Sequence, residues 1–378
     1  MISEFDDYAI HQTSEPINQP APSDRNFYDR YWLNGFDRDG DFVFEVGIGL
    51  YPNRFVMDGH LSFVLDGVQH AFHASRRAPR ERRDTRVGPL SLEVVEPLRA
   101  IRVRLAPNDT GIEADLLFRA TTAPTQEPKN LLREDGRLLM DTSRFTQFGG
   151  WEGFLGQAGL RRDVSADRTL GTRDRSWGVR PVGEPPGGAP AATGAAPGVY
   201  WVWSPIHFDD VCTQFGSFQD AQGHPTQISA AIVPRYRDPG DIPRGDDPGH
   251  REMASATHQI HWEPGTRRSR GAEFQLHSRE GESFEITLDP MIRFQMLGIG
   301  YQHPEWAHGV WKGEEVIAAE SWKLDEIDPL DYKHIHLHQI CRARMGERRG
   351  VGTLETIAFG PHQPSGFAAF LDGAPDVG

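Results

Sequence analysis

The densest run of side chains suited to chemistry is Gly171-Thr172-Arg173-Asp174-Arg175-Ser176-Trp177-Gly178-Val179-Arg180-Pro181. It sets one carboxylate among three guanidinium groups and beside an indole. Such a carboxyl adds a proton to a carbon–carbon double bond, or works in the reverse direction, when burial raises its pKa from about 4 toward neutrality. The Trp177 indole would offer a face to the developing carbocation, a contact worth roughly 0.5 to 2 kcal/mol. Arg173, Arg175 and Arg180 pull the other way, because a cation touching Asp174 favours its charged form. If those arginines reach the carboxylate, the cluster is a salt-bridge knot with Trp177 as its plug.

Other residues compete for a role. The segment 145–154 (FTQFGGWEGF) combines four aromatics with three glycines. It is too polar for a plain strand and too aromatic for a solvated loop. It reads as a pocket-lining loop, with Phe148, Trp151 and Phe154 against a ligand and Glu152 as a second acid or base. Trp201 and Trp203 extend the aromatic wall, and Arg173 and Arg180 are expected ligand contacts. His207 stands two residues from Asp209, which on a continuing strand makes a base held by a carboxylate. No G-x-S-x-G elbow supplies this pair with a nucleophile.

A rival constellation is His334-Ile335-His336-Leu337-His338, three imidazoles alternating onto one strand face. Alternate strand positions lie about 6.5 to 7 Å apart, and two such histidines can chelate one metal. The next carboxylate along the chain, Glu347, stands beyond a basic turn. His303 and His308 flank Trp306 in a turn-rich loop and suit a rim. Gly47-Ile48-Gly49 opens no helix and lacks a third glycine, so no nucleotide cofactor is expected.

These groups must be positioned by strands. In residues 42–50 every even position is large and apolar, the period of a half-buried strand. Leu61, Phe63 and Leu65 alternate up to Asp66-Gly67, and Val68, His70 and Phe72 alternate away, the strongest short-range hairpin signal. Residues 90–94, 101–105 and 112–118 continue an antiparallel meander. Further strands are expected at 200–203, 213–219, 258–262, 284–288, 292–297, 316–324, 335–341 and 353–359. Forty glycines, 28 prolines and no long helical window point to an all-β chain of two tandem antiparallel bodies, closed or nearly so to protect their edges. The expected division is an extended arm over 1–25, a first β domain over 26–182, a flexible Gly/Ala/Pro linker or loop over 183–198 and a second β domain over 199–378.

Composition narrows the partners. At 378 residues the chain can bury a sizeable core, and its 40 basic against 54 acidic residues disfavour nucleic acid. No window approaches the roughly 20 apolar residues of a membrane span. The acidic start, with Glu4, Asp6 and Asp7, does not read as a secretory signal. Cys212 and Cys341 read as two free thiols of a reducing compartment, which places the protein in the cytoplasm. Only Lys129, Lys312, Lys323 and Lys333 of the basic residues are lysine, a bias expected of a GC-rich bacterial genome.

The run G-x-R-D-x-S-W-G-x-R resembles the signature of the two-domain lipocalin-like family that includes carotenoid 1,2-hydratase and the AttH-like proteins. Asp174, Trp177 and Gly178 match, whereas Arg175 stands where hydratase members tend to have His. The resemblance implies two tandem lipocalin-like barrels and a hydrophobic isoprenoid-like or polycyclic ligand. It also implies a fold that hosts hydration and ring-forming reactions. Three readings follow: a cofactor-independent hydratase, isomerase or cyclase in which Asp174 and Trp177 do the chemistry; a carrier of the same architecture; and a metal-dependent β-barrel oxygenase built on His334, His336 and His338.

Overall fold

The computed structural model describes residues 3–134, 136–183, 189 and 198–376. The expected linker over 183–198 lies almost wholly outside them. The described chain is built from antiparallel strands with short 3-10 turns between them, as the alternation requires. Its strands form two curled sheets. The first runs Val68–Arg77, Val56–Leu65, Phe42–Tyr51, Phe27–Asp37, Thr169–Val179, Arg137–Gln157 and Ile112–Ala120, then continues through the meander to Leu90–Glu96. The second runs from Arg251–Glu252 through Val199–His207, Arg348–Phe359 and His336–Met345 to Ser255–Trp262. One strand from the C-terminal half, Glu315–Lys323, leaves the second sheet and pairs with Val68–Arg77 of the first.

Each sheet curls around its own apolar filling. Phe44, Leu61, Phe63, Phe72, Leu116 and Phe118 pack inside the first, and Val202, Phe274, Leu276, Ile286 and Leu354 inside the second. Ile48 and Met57 of the first filling also border a largely apolar cavity of about 380 Å³ with Tyr31 and Leu50. A third cluster, with Trp32, Phe36, Trp203, Phe294 and Ile340, joins the outer faces of the two sheets. That seam is closed by polar contacts as well: Asn34 Nδ2 donates to Thr353 Oγ1 at 2.9 Å, and Gln69 exchanges two 2.8 Å bonds with the Gln295 backbone.

The seam explains the strands that alternation described incompletely. In Phe42–Tyr51 the even residues fill the first barrel, while Val43, Glu45 and Gly47 face the second sheet, so nearly the whole strand is buried. A Cβ at Gly47 would lie 2.2 Å from Nη2 of Arg30, so any larger residue there would displace that guanidinium. The segment 145–154 is the middle of the long strand Arg137–Gln157 and not a loop. Its mixed composition reflects two buried faces, with Phe145, Gln147 and Trp151 toward the barrel and Arg144, Thr146 and Phe148 toward the seam.

Gly171 allows the motif strand to pass close to its neighbours. Trp151 Nε1 donates to the Asn34 carbonyl at 2.7 Å, and a Cβ on residue 171 would sit 2.2 Å from that nitrogen and 2.3 Å from that oxygen. Gly171→Ala is expected to cost about 1–3 kcal/mol by overpacking. A lower urea midpoint with unchanged far-ultraviolet dichroism checks this; an unchanged midpoint would show that the strand tolerates the methyl group.

Candidate active site

Side chains alternate along Thr169–Val179, so residues three apart cannot share a face. Asp174 and Ser176 point into a cavity of about 190 Å³ in the seam, and Arg180 just beyond the strand joins them. Trp177 points away and is 40% exposed, which corrects the expectation that it walls the site. Tyr28 and Arg30 from Phe27–Asp37 and Arg144 from Arg137–Gln157 complete the first-sheet side. Trp201, His336 and Glu355 close the cavity from the second sheet, and Tyr301 joins them from the turn after the 3-10 helix Met296–Ile299.

None of the three motif arginines hydrogen-bonds Asp174. Arg173 is buried on the barrel side, where Nε and Nη2 donate to Gln147 Oε1 at 2.9 and 2.6 Å, and burial pulls its pKa down to about 10. Arg175 pairs with Asp29 and lies 4.0 Å from the centre of the Tyr31 ring. Arg180 lines the cavity, with Nη2 3.2 Å from His308 Nδ1 and its guanidinium over Tyr28. The cation facing Asp174 is Arg144, whose Nη1 is 3.9 Å from Oδ2.

Arg144 is itself engaged. It bonds Glu127, and its guanidinium lies 5.4 and 5.6 Å from the centres of the Trp201 and Trp203 rings. Asp174 Oδ1 is buried without a hydrogen-bond partner among the described residues. Burial therefore outweighs the attraction of Arg144 and Arg30, and with repulsion from Glu127 and Glu355 it pushes the Asp174 pKa up to about 6.

The opposite wall carries a second ionisable chain. Burial disfavours charge on His338, but Glu45 and Glu355 outweigh it and push its pKa up to about 10. His338 Nδ1 is 2.7 Å from Glu45 Oε1, and His336 Nε2 is 2.6 Å from Glu355 Oε1. Arg30 Nη1 donates to the Tyr301 hydroxyl at 2.8 Å, so phenols and guanidinium groups together offer donors to an oxygen placed in the cavity.

The other expected residues disperse. Trp151 is fully buried between Phe44 and Phe118 in the first barrel. Phe148 packs on His207, Phe154 is stacked by Arg161, and Glu152 pairs with Arg119 at 3.2 Å on the surface. His207 is buried and its pKa pushed well below the ordinary value, while Asp209 turns outward with 87% of its side chain exposed. The strand ends at His207, so the expected pair does not form. His334 lies in the 3-10 turn Tyr332–His334 and not on the strand with His336 and His338.

Arg144, Arg30, Glu127 and Glu355 were not singled out by the sequence. Glu355 was findable: a tight turn at Met345-Gly346 sets the register that brings it opposite His338. Nothing local marks Arg144, whose place follows from the pairing of Arg137–Gln157 with Thr169–Val179.

Two curled antiparallel sheets meeting over this seam make the protein one of two-domain lipocalin-like fold. The chain belongs to the family of unknown function DUF8625, which residues 2–368 match. No curated protein matches it by sequence. A protein described as an AttH from Nitrosomonas europaea shares the fold, at 12% identity and a TM-score of 0.54, over 88% of this chain and 92% of the other. CghA crystallised with Sch210972 is similar at 11% identity and a TM-score of 0.50, over 88% and 89% of the two chains. The fold implied by the motif is thereby borne out. No described helix is long and apolar enough to cross a membrane.

Because folded Asp174 holds its proton more tightly than it does in the unfolded chain, the stability it contributes is greatest at acid pH. That stability is lost as pH rises through about 6. Asp174→Asn is expected to be more stable than the parent by about 1–3 kcal/mol at pH 8 and near parity at pH 4. Urea unfolding at the two pH values measures this; a difference independent of pH would show that the carboxyl is not strained by burial.

Proposed function

We propose that the protein is an enzyme that transfers a proton to or from a hydrophobic, ring-bearing molecule in the seam cavity. It would work without an organic cofactor, as a hydratase or dehydratase, an isomerase or a cyclase. The observation that carries this reading is the unpaired, buried Oδ1 of Asp174, held near neutral pKa and facing into the cavity. A carboxyl tuned in this way serves as general acid below its pKa and as general base above it.

The surroundings suit a substrate with an aromatic or fused-ring body and at least one oxygen. Trp201, Tyr28 and Phe218 offer ring faces, and Arg30, Arg180 and Tyr301 offer donors to an oxygen on which charge develops. At about 190 Å³ the cavity holds the reacting end alone, since drug-sized ligands occupy roughly 300–1,000 Å³. Glu127 and Pro128 are shared with an outer groove of about 470 Å³, which would take the remainder. Trp201, with Arg144 over its ring, takes the place of the wall first assigned to Trp177. Both cysteines are free and buried, which supports a reducing, cytoplasmic setting.

Native mass spectrometry of freshly purified protein would identify a co-purifying small molecule and its class. With that molecule or a close analogue, Asp174→Asn is expected to lower kcat by at least about 10²-fold with little change in affinity. The rate for a general acid should fall as pH rises through about 6. Full turnover by a folded Asp174→Asn protein would remove Asp174 from the chemistry. Binding without product for any oxygenated polycycle tested would favour a carrier.

A further inference from the structure

Two groups of imidazole and carboxylate ligands outside the Asp174 side of the cavity bring their donor atoms within 4.8 Å of one another: His73, His303 and Glu320, and His336, His338 and Glu355. They differ in whether the imidazole protons are locked in place. His303 Nδ1 accepts from the backbone amides of Glu305 and Trp306 at 3.0 and 2.9 Å. Its proton therefore sits on Nε2, which donates to Glu320 Oε1 at 2.7 Å. A nitrogen so occupied has no lone pair for an ion, and this first group is a hydrogen-bonded bridge.

The second group is arranged in the opposite sense. His338 Nδ1 faces Glu45 Oε1 at 2.7 Å, and Glu45 is fixed in turn by Trp32 Nε1, which donates to Oε2 at 2.9 Å. A carboxylate that accepts from Nδ1–H orients the ring so that Nε2 faces the ligand position, where an ion displaces the Nε2 proton, the arrangement by which outer-shell acids orient metal-bound histidines. His338 Nε2 is buried with no hydrogen bond, 3.5 Å from Glu355 Oε1. His336 Nε2 is 2.6 Å from the same oxygen, and its Nδ1 has no partner among the described residues, so its proton can shift to Nδ1 and free Nε2 for an ion. First-row ions bind such atoms at about 2.0–2.2 Å, which sets neighbouring ligands roughly 3–3.5 Å apart, and the three donor atoms here lie within 4.8 Å of one another.

We propose that His336, His338 and Glu355 bind one divalent first-row metal ion on the wall of the seam cavity, with Glu45 orienting His338. Two imidazoles and one carboxylate leave coordination positions for water or an oxygen of a bound molecule. His336 and Glu355 line the cavity, so those positions face its contents. The set differs from the three histidines expected from sequence, since His334 is off the strand and Glu355 takes its place. This site does not rest on the acid role proposed for Asp174.

The test is metal uptake by the full chain after chelator treatment and dialysis, using Co²⁺ and Zn²⁺ alone as probes. One ion per chain is expected, with visible absorption from bound Co²⁺ and two imidazoles in the X-ray absorption spectrum of the Zn²⁺ form. His338→Gln and Glu355→Gln should abolish uptake, Glu45→Gln should weaken it about 10–100-fold, and His303→Gln should leave it intact. Asp174→Asn should also keep the ion, which separates failure of this site from failure of the acid–base reading. No uptake of either ion by folded wild-type protein would overturn the proposal. Uptake that survives His338→Gln, or a spectrum without two imidazoles, would overturn it equally, and the spectrum needs no variant to fold.

Discussion

Charge buried where two sheets meet is the constraint on which the rest of the structure depends. An isolated ion taken from water costs several kcal/mol, so each ionisable group in the seam must be paired, bridged or forced to hold its proton. Glu45 and Glu355 on either side of His338 take the first course, and Arg30 on Tyr301 and Ile299 takes the second. Asp174 takes the third. Its carboxyl is the acid left over after Arg144 has been committed to Glu127, and burial raises its pKa to about 6.

The same constraint sets the backbone. A guanidinium can lie flat against Phe42–Tyr51 only where the side chain is missing, hence glycine at 47. The motif strand approaches Phe27–Asp37 and the Trp151 indole closely at residue 171 for a similar reason. Residues that looked like a catalytic signature in the linear sequence are thus of two kinds. Some make the strand fit, and Asp174, Ser176 and Arg180 face the cavity.

Much of the fold was legible because alternation and turn residues are local. The hairpin at Asp66-Gly67, the meander from Leu90 to Phe118 and the strands ending in Thr353–Phe359 lie where period two places them. The site was legible only in part. Asp174 stood out as an acid beside arginines, but Trp177 was grouped with it by nearness in sequence, against the period of a strand that sends residues three apart to opposite faces. The segment 145–154 failed for a different reason: a strand buried on both faces by unlike surroundings shows neither alternation nor a continuous apolar run. Arg144 and Glu127 meet Asp174 through pairings that span tens of residues, and no local pattern encodes them.

Because Glu315–Lys323 crosses back to lie along Val68–Arg77, the two halves of the polypeptide are stitched together and cannot be traded as modules. A gene truncated after the first sheet would leave a ten-residue edge, Val68–Arg77, bare and open to pairing with other chains. A fragment starting at the second sheet would carry Glu315–Lys323 as an orphan ribbon.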